Sequence, residues 1–332
     1  MTGALLDIRD LRVDFSRGRR LVRAVDGVSL SVAPGETVGL VGESGSGKST
    51  IARAVTGLTP VSGGSIRFDG ADVTRAGRRA RRRLSAALQM VFQDPYSSLN
   101  PARTIGDTLA EPLLARREVR RSGRRELVAA ALERVGLPAD AARRYPAEFS
   151  GGQRQRIVIA RALVNLPRLV ICDEPVSGLD TSVQAQIINL LLDLRADLGL
   201  GYLFITHDLA VVRHLSHRVV VLYRGQVMEA GRTATVVSRP AHPYTRALIA
   251  AAPVPDPGHR PPLVPPAGPA PVLSATPGAA DRPGCRFASR CPYVAPVCLA
   301  RRPPLRESAT GSLVSCVRQH ELSEVHLSTG TH

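Results

Sequence analysis

Hydrophobic and polar positions alternate along residues 4–15 (ALLDIRDLRVDF) and 27–33 (GVSLSVA), the period of strands with one buried face. The run 36–41 (ETVGLV) reads as a further strand that ends in glycine-rich sequence. Helical material follows. Two arginine runs, TRAGRRARRR and ARREVRRSGRR, lie between residues 75 and 125. The second leads into ELVAAALERVGL, whose apolar spacing predicts an amphipathic helix closing at Gly136. QRQRIVIARALV (153–164) again has the helical period. RLVICD (168–173) and GYLFIT (201–206) are unbroken apolar runs of strand length, suited to strands buried on both faces of a parallel sheet.

At Pro253 the pattern stops. Residues 253–283 hold 11 prolines and three glycines, the composition of a semi-rigid linker or extended strap. A short segment beyond it carries four of the five cysteines. The expected organisation is therefore a main domain over 1–252 with a helical subdomain at about 96–165, a linker over 253–283 and a C-terminal segment over 284–332. No fixed-period repeat suggests a solenoid.

Composition adds that the chain should fold, since 44% of its 332 residues are apolar and 22% are charged. No run approaches the roughly 18 apolar residues of a membrane span, and the opening MTGALLDIRDLRVDF lacks a basic head with an apolar core. A soluble, non-secreted protein is expected. The net charge is +16, and all but one of the 44 cations are arginine. Lys48 is the only lysine. A guanidinium does not replace a compact ammonium where room is tight, so this site demands lysine.

Residues 42–49 (GESGSGKS) fit G-x-x-x-x-G-K-[S/T] between a strand and a helical segment. There the backbone N–H groups turn inward around a β-phosphate and the helix N-terminus adds partial positive charge. Gly42, Ser44, Gly45, Gly47, Lys48, Ser49 and Thr50 are the expected nucleotide-binding residues. Lys48 reaches the β- and γ-phosphates, and the Ser49 hydroxyl ligates Mg²⁺. In LVICDE, Asp173 follows a buried strand and Glu174 follows it. The two could merely cap the helix after Pro175. Beside a phosphate loop, however, Asp173 reads as a direct or indirect Mg²⁺ ligand and Glu174 as the base that polarises water.

With these residues the chain resembles the ATP-binding subunit of an ABC transporter: α/β, with a P-loop NTPase core of ABC type, a β-subdomain and an α-helical subdomain. FSGGQ (149–153), followed at once by a helix, is similar to the family's signature sequence, with Phe149 where leucine is common. The resemblance implies that Ser150, Gly151, Gly152 and Gln153 grip the γ-phosphate of an ATP held by the opposite subunit of a head-to-tail dimer. It further implies that Gln93 is the Q-loop glutamine, contacting Mg²⁺ and water. SGLD (177–180) is the D-loop ending in Asp180, with Gly178 where alanine is usual, and His207 is the switch histidine. Phe15 either stacks on adenine or is an ordinary core residue.

QDPYSSLNP (93–101), EPVSGLDTSVQAQIINLL (174–191), HPYTRALIAA (242–251) and GCRFASRCP (284–292) narrow the resemblance to the oligopeptide and dipeptide importers. Close relatives in that branch carry nickel or glutathione. The implied partners are a second ATPase in a heterodimer, two membrane permeases and an extracytoplasmic solute-binding protein. The implied location is the cytoplasmic face of the cell membrane, and the implied ligands are ATP and Mg²⁺.

Cys285, Cys291, Cys298 and Cys316 are separated by five, six and seventeen residues, while Cys172 reads as a small core residue. Zinc usually needs one closer pair, and a reducing compartment disfavours disulfides. A 4Fe-4S cluster tolerates wider loops, with Arg286, Arg290, Arg301 and Arg302 available to offset its thiolates. Some relatives with a similar tail bind such a cluster. Zinc, reduced thiols and a redox switch remain the alternatives, the last allowing a redox-sensing regulator. A soluble ABC ATPase acting on nucleic acid is the other rival. The chain lacks the second ATPase domain, the long coiled coil and the interleaved aromatic and basic residues such proteins use, so no nucleic-acid partner is expected. The arginine runs read as a solvated surface near anionic lipid, or as coding bias.

Overall fold

The computed structural model describes residues 3–17, 20–94, 98–115, 120–251, 283–319 and 321. The expected linker over 253–283 lies outside the described residues except for its last residue, as does most of the chain beyond Gln319. Among the described residues the strands form two sheets.

The smaller sheet has the order β2-β1-β4-β5 and is antiparallel, with β1 over Leu6–Arg17, β2 over Arg20–Val32, β4 over Gly63–Phe68 and β5 over Ala71–Asp72. In β1 the buried positions switch parity, from Leu6 and Ile8 to Leu11 and Val13. The pairing register shifts between Ile8 and Leu11, and Asp10 sits there at φ +47°. One such bulge moves every later side chain to the other face, so the odd-numbered apolar residues still point inward.

The larger sheet has the order β11-β12-β10-β9-β3-β8-β7-β6. Its centre is parallel: β3 (Thr37–Val41) lies between β8 (Gly201–Thr206) and β9 (Arg218–Tyr223), and β7 (Leu169–Asp173) joins β8 to β6 (Leu88–Val91). All five residues of β3 and of β7, and all six of β8, are buried, as unbroken apolar runs require. On the other side β10 (Gln226–Arg232) pairs antiparallel with β9, and the short strands β12 (Leu313–Val314) and β11 (Arg306–Glu307) extend that edge. The cysteine-bearing segment thus returns to the main sheet.

The helices are α1 (Lys48–Val55), α2 (Arg78–Ala87), α3 (Ile105–Ala110), α4 (Arg121–Arg134), α5 (Gly151–Leu163) and α6 (Thr181–Leu198). Then come α7 (Leu209–Leu215), α8 (Thr233–Ser238), α9 (Pro243–Ala250) and α10 (Pro296–Ala300). Leu109, Val128, Leu132 and Ile157 of α3 to α5 share one core with Val170 and Cys172 of β7. Cys172 is fully buried, and its thiol is pushed far up by burial and by Asp173, in keeping with a core residue. The first arginine run forms α2, which buries none of its residues. Its apolar stripe is narrow, Ala80, Leu84 and Ala87, of which only Leu84 and Ala87 pack partly against the core, so the arginines dominate the pattern. No described helix is long and apolar enough to cross a membrane.

Candidate active site

The site lies at the carboxyl ends of the parallel strands, where open α/β sheets bind ligands. β3 runs into Gly42, and the loop 42–47 delivers the chain to α1, whose N-terminal residue is Lys48. Two glycines are fixed by close approach. A Cβ at Gly42 would stand 2.1 Å from the Leu222 carbonyl oxygen, and one at Gly47, at φ +104°, 2.6 Å from that of Ala24. Lys48 is buried, and its Nζ donates to the carbonyl oxygens of Gly42 (2.7 Å) and Glu43 (2.9 Å). Burial pulls its pKa below the ordinary lysine value, against the attraction of Glu174, Asp173 and Glu43.

The Ser49 hydroxyl donates to Asp173 Oδ1 at 2.9 Å across 124 residues of sequence. Asp173 ends β7, and its carboxyl is pushed up by burial and by the neighbouring Glu174, while Ser49, Arg53 and Lys48 act the other way. A hydroxyl and a buried carboxylate in contact offer the hard oxygen donors that Mg²⁺ takes from protein when phosphates supply others.

Glu174 adopts φ +48°, a left-handed conformation costing about 1–2 kcal/mol in a residue with a Cβ. Its N–H donates to the Ile205 carbonyl at 2.9 Å, extending the ladder while the side chain turns out of the sheet. Its Oε2 receives Gln93 Nε2 at 3.3 Å and lies 3.3 Å from His207 Nδ1. His207 sits in the turn between β8 and α7, which is held by Asp208 N–H to Thr206 Oγ1 (3.0 Å) and by Asp208 Oδ1 accepting from Ala210 N–H (2.7 Å). Three residues from three loops meet at one carboxylate oxygen.

Ser150 is the N-cap of α5. Its hydroxyl accepts from the Gln153 N–H (3.4 Å), and Gln153 Oε1 accepts from the Ser150 N–H (3.0 Å). This capping box leaves Ser150 exposed at a helix N-terminus. Gly152 has no room for a Cβ, which would lie 2.6 Å from Val183 Cγ1 of α6. Asp180 caps α6, with Oδ1 accepting from the Val183 N–H at 3.0 Å and the Ser182 hydroxyl at 2.7 Å. Gly178 adopts φ +76°, a conformation open to glycine and strained for the usual alanine. Phe15 is 43% exposed and so is not a core residue.

Cys285, Cys291, Cys298 and Cys316 all line one small cavity, together with His242 and Phe287. Burial, reinforced by the other thiols, pushes Cys285 and Cys291 each up to about 11 and raises Cys316 as well. Among the described residues no group of three or more His, Cys, Asp or Glu could hold a metal ion. Arg286 and Arg302 ion-pair with Asp26 at 3.1 and 3.6 Å, and Arg290 with Glu43 at 2.7 Å. Three of the four cations expected to balance a thiolate shell, Arg286, Arg290 and Arg302, are therefore paired with carboxylates of the main domain. Sequence reasoning missed two groups of contacts, that of Asp26 with Gln226, Arg286 and Arg302, and that of Glu43 with Tyr244 and Arg290. The last two fall within the quoted HPYTRALIAA and GCRFASRCP, which were the available signal.

A family profile described as ABC transporter matches residues 25–177, and one described as oligopeptide/dipeptide transporter, C-terminal region, matches 228–298. A Brucella ovis protein named as a peptide import ATP-binding protein is 46% identical over 316 residues, covering 95% of this chain and 98% of its own. A similarly named Brucella abortus protein is 50% identical over 304 residues, covering 90% and 89%. Among solved structures, the dimeric post-hydrolysis ATP-binding cassette MJ0796 with ADP and Pi aligns with TM-score 0.63 at 27% identity, over 69% of this chain and 98% of that one. CbiO1 from Clostridium perfringens, part of the ABC transporter complex cbiONQ, gives 0.64 at 28% over 71% and 91%. With a phosphate loop, an acid pair and a signature helix on this fold, the chain belongs to the ABC transporter ATP-binding family, in the branch carrying the oligopeptide/dipeptide C-terminal region, and is an ATPase.

Proposed function

We propose that Glu174 is the general base of ATP hydrolysis, oriented by Gln93 and His207, and that Ser49, Asp173 and Gln93 hold Mg²⁺. The contact of three loops at Glu174 Oε2 carries this reading. Held by these residues, Mg²⁺ would supply positive charge to offset the charge that develops on the phosphates. Lys48 leaves the Gly42 and Glu43 carbonyls to meet the β- and γ-phosphates, and Gly45, Gly47 and the first turn of α1, with Thr50, supply N–H donors. Ser44 lines the same loop, Phe15 offers an exposed ring to the adenine, and His207 turns to the γ-phosphate. Ser150, Gly151, Gly152 and Gln153, with Asp180, serve the ATP held by the opposite ATPase, so one chain contributes to two sites.

The chain energises ABC-type import of peptides, in keeping with its C-terminal family match and with what its relatives are named for. Its complex comprises a second ATPase, two permeases and an extracytoplasmic solute-binding protein, and it works at the cytoplasmic membrane face. Affinity purification from native membranes should recover these subunits. Recovery of ribosomes or DNA-repair factors in their place would overturn the transport role while leaving the ATPase chemistry standing.

Of the readings open for the four cysteines around one cavity, a 4Fe-4S cluster suits their wide spacing along the sequence better than zinc, which usually takes one closer pair. When bound, it would pin the C-terminal segment and supply positive charge that draws these raised thiols to thiolates. Anaerobically purified protein should contain iron and show visible thiolate-to-iron absorption, both lost in Cys298→Ser; colourless, iron-free protein would exclude it.

A further inference from the structure

Glu43, the second residue of the phosphate loop, is held at three points. Its N–H donates to the Tyr244 hydroxyl at 3.0 Å, its carbonyl accepts Lys48 Nζ at 2.9 Å, and its Oε2 accepts Arg290 Nη1 at 2.7 Å. Tyr244 belongs to α9 and Arg290 to the 3₁₀ turn Ala288–Arg290. Both lie beyond every motif of the ATP site. They are not loosely placed. The Tyr244 ring packs on Tyr223 at 4.6 Å and on Phe287 at 5.3 Å, and the Arg290 guanidinium stands 5.9 Å from the centroids of both Tyr223 and Phe287. Tyr223 ends β9, so this aromatic cluster ties the C-terminal segment to the main sheet beside the loop.

The carboxylate of Glu43 is an awkward group for a loop that must receive a triphosphate, since its charge opposes the ligand's. Arg290 contacts that carboxylate directly. Both side chains are about half exposed, at 52% and 42%, so the pair adds little to folding. Its consequence falls on the ligand. Neutralised, Glu43 leaves the loop's N–H donors and Lys48 to set the local potential. Fixed, it also holds the carbonyl on which Lys48 rests before nucleotide arrives.

We propose that Arg290 is a positioning residue of the ATP site, which neutralises and anchors Glu43 and so ties nucleotide affinity to the seating of the C-terminal segment. This rests on the reading of residues 42–49 as the ATP loop. Arg290 immediately precedes Cys291, which lines the neighbouring cavity, so the segment that carries the cysteines also carries the contact with the loop.

The test is a double-mutant cycle on the full chain, titrating a fluorescent ATP analogue with Mg²⁺ at low and high salt. Arg290→Ala should weaken binding about three- to fivefold at low salt, and the loss should shrink at high salt. Arg290→Lys should retain most of the affinity. Glu43→Gln should bind about two- to threefold more tightly, and the double variant should return to within about twofold of the parent, because removing the acid removes the need for its partner. Where Arg290→Ala does not fold, Arg290→Gln gives the same reading. Lys48→Ala separates the two levels of argument: if the parent does not bind, or Lys48→Ala binds as the parent does, the ATP-loop reading fails. If Lys48→Ala alone loses binding while Arg290→Ala equals the parent, or if Glu43→Gln fails to rescue Arg290→Ala, the positioning role is overturned.

Discussion

At the scale of single residues, the site is a set of charged groups poised against burial. Glu174→Gln keeps the shape and the hydrogen-bonding oxygen but cannot accept a proton. Hydrolysis should fall by about 10²- to 10⁴-fold in a phosphate-release assay while nucleotide still binds; normal turnover would remove Glu174 as the base. Asp173 makes a different prediction. Burial raises its carboxyl above the ordinary value, so its ionised form is disfavoured in the folded chain. Between the ordinary value and the raised one the folded state binds more protons than the unfolded, and stability declines as pH rises through that window. Asp173→Asn removes the buried charge and keeps an oxygen for the Ser49 hydroxyl. The nucleotide-free variant should melt about 1–2 °C higher, for a gain of about 1 kcal/mol, while losing Mg²⁺-dependent hydrolysis. A lower melting temperature would show that the charge is compensated in the fold. These residues were legible in the sequence because phosphate binding constrains contiguous positions: Gly42, Gly47 and Lys48 must stand at fixed intervals for backbone N–H groups to converge.

At the scale of elements, the strands were legible where burial imposes a pattern. The unbroken runs of β7 and β8 and the alternation of β1 announce themselves. The bulge at Asp10, which flips the parity of β1, was not specified by composition, and the apolar stripe of α2 is narrow and set among arginines. Least legible was the docking of the C-terminal segment. Its polar contacts join residues 247 and 260 positions apart, through ordinary Arg, Glu and Asp whose types carry no signal. Asp26 shows what that docking involves. It accepts Gln226 Nε2 at 2.7 Å and Arg286 Nη2 at 3.1 Å, and the Arg286 side chain is only 7% exposed. Burial raises the Asp26 carboxyl, but Gln226, Arg302, Arg286 and Arg23 outweigh it and hold the pKa below 3.8. Its contribution to stability is thus complete above that pH and is lost as pH falls through the lowered value. Asp26→Asn leaves Arg286 buried without its counter-charge and should cost about 3 kcal/mol in chemical denaturation at neutral pH. The gap between variant and parent should close as the solution is acidified below about pH 4. An unchanged midpoint at neutral pH would mean that the segment is held by its apolar contacts alone.

At the scale of the whole molecule, the proposed nucleotide residues fall into two separate groups. The phosphate loop, the acid pair and His207 form one group of contacts, while Ser150 and Gln153 engage each other at the start of α5. If the second group serves an ATP held by the partner ATPase, a change there should separate binding from turnover. Ser150→Asp makes that separation. Aspartate is as good an N-cap as serine, so the Gln153 N–H keeps its acceptor and α5 its stability, within about 0.5 kcal/mol. The added negative charge, however, faces whatever anion approaches that helix terminus. The isolated variant should bind a fluorescent ATP analogue as tightly as the parent and melt within about 2 °C of it. Mixed with the second ATPase proposed above, it should fail to form an ATP-bound dimer, and turnover of the pair should drop by at least about tenfold, since each lost 1.4 kcal/mol of phosphate interaction is a factor of ten. Weakened binding in the isolated chain would place Ser150 at the chain's own nucleotide. Undiminished turnover of the pair would remove the signature helix from the reaction, and with it the proposed second ATP site of this chain.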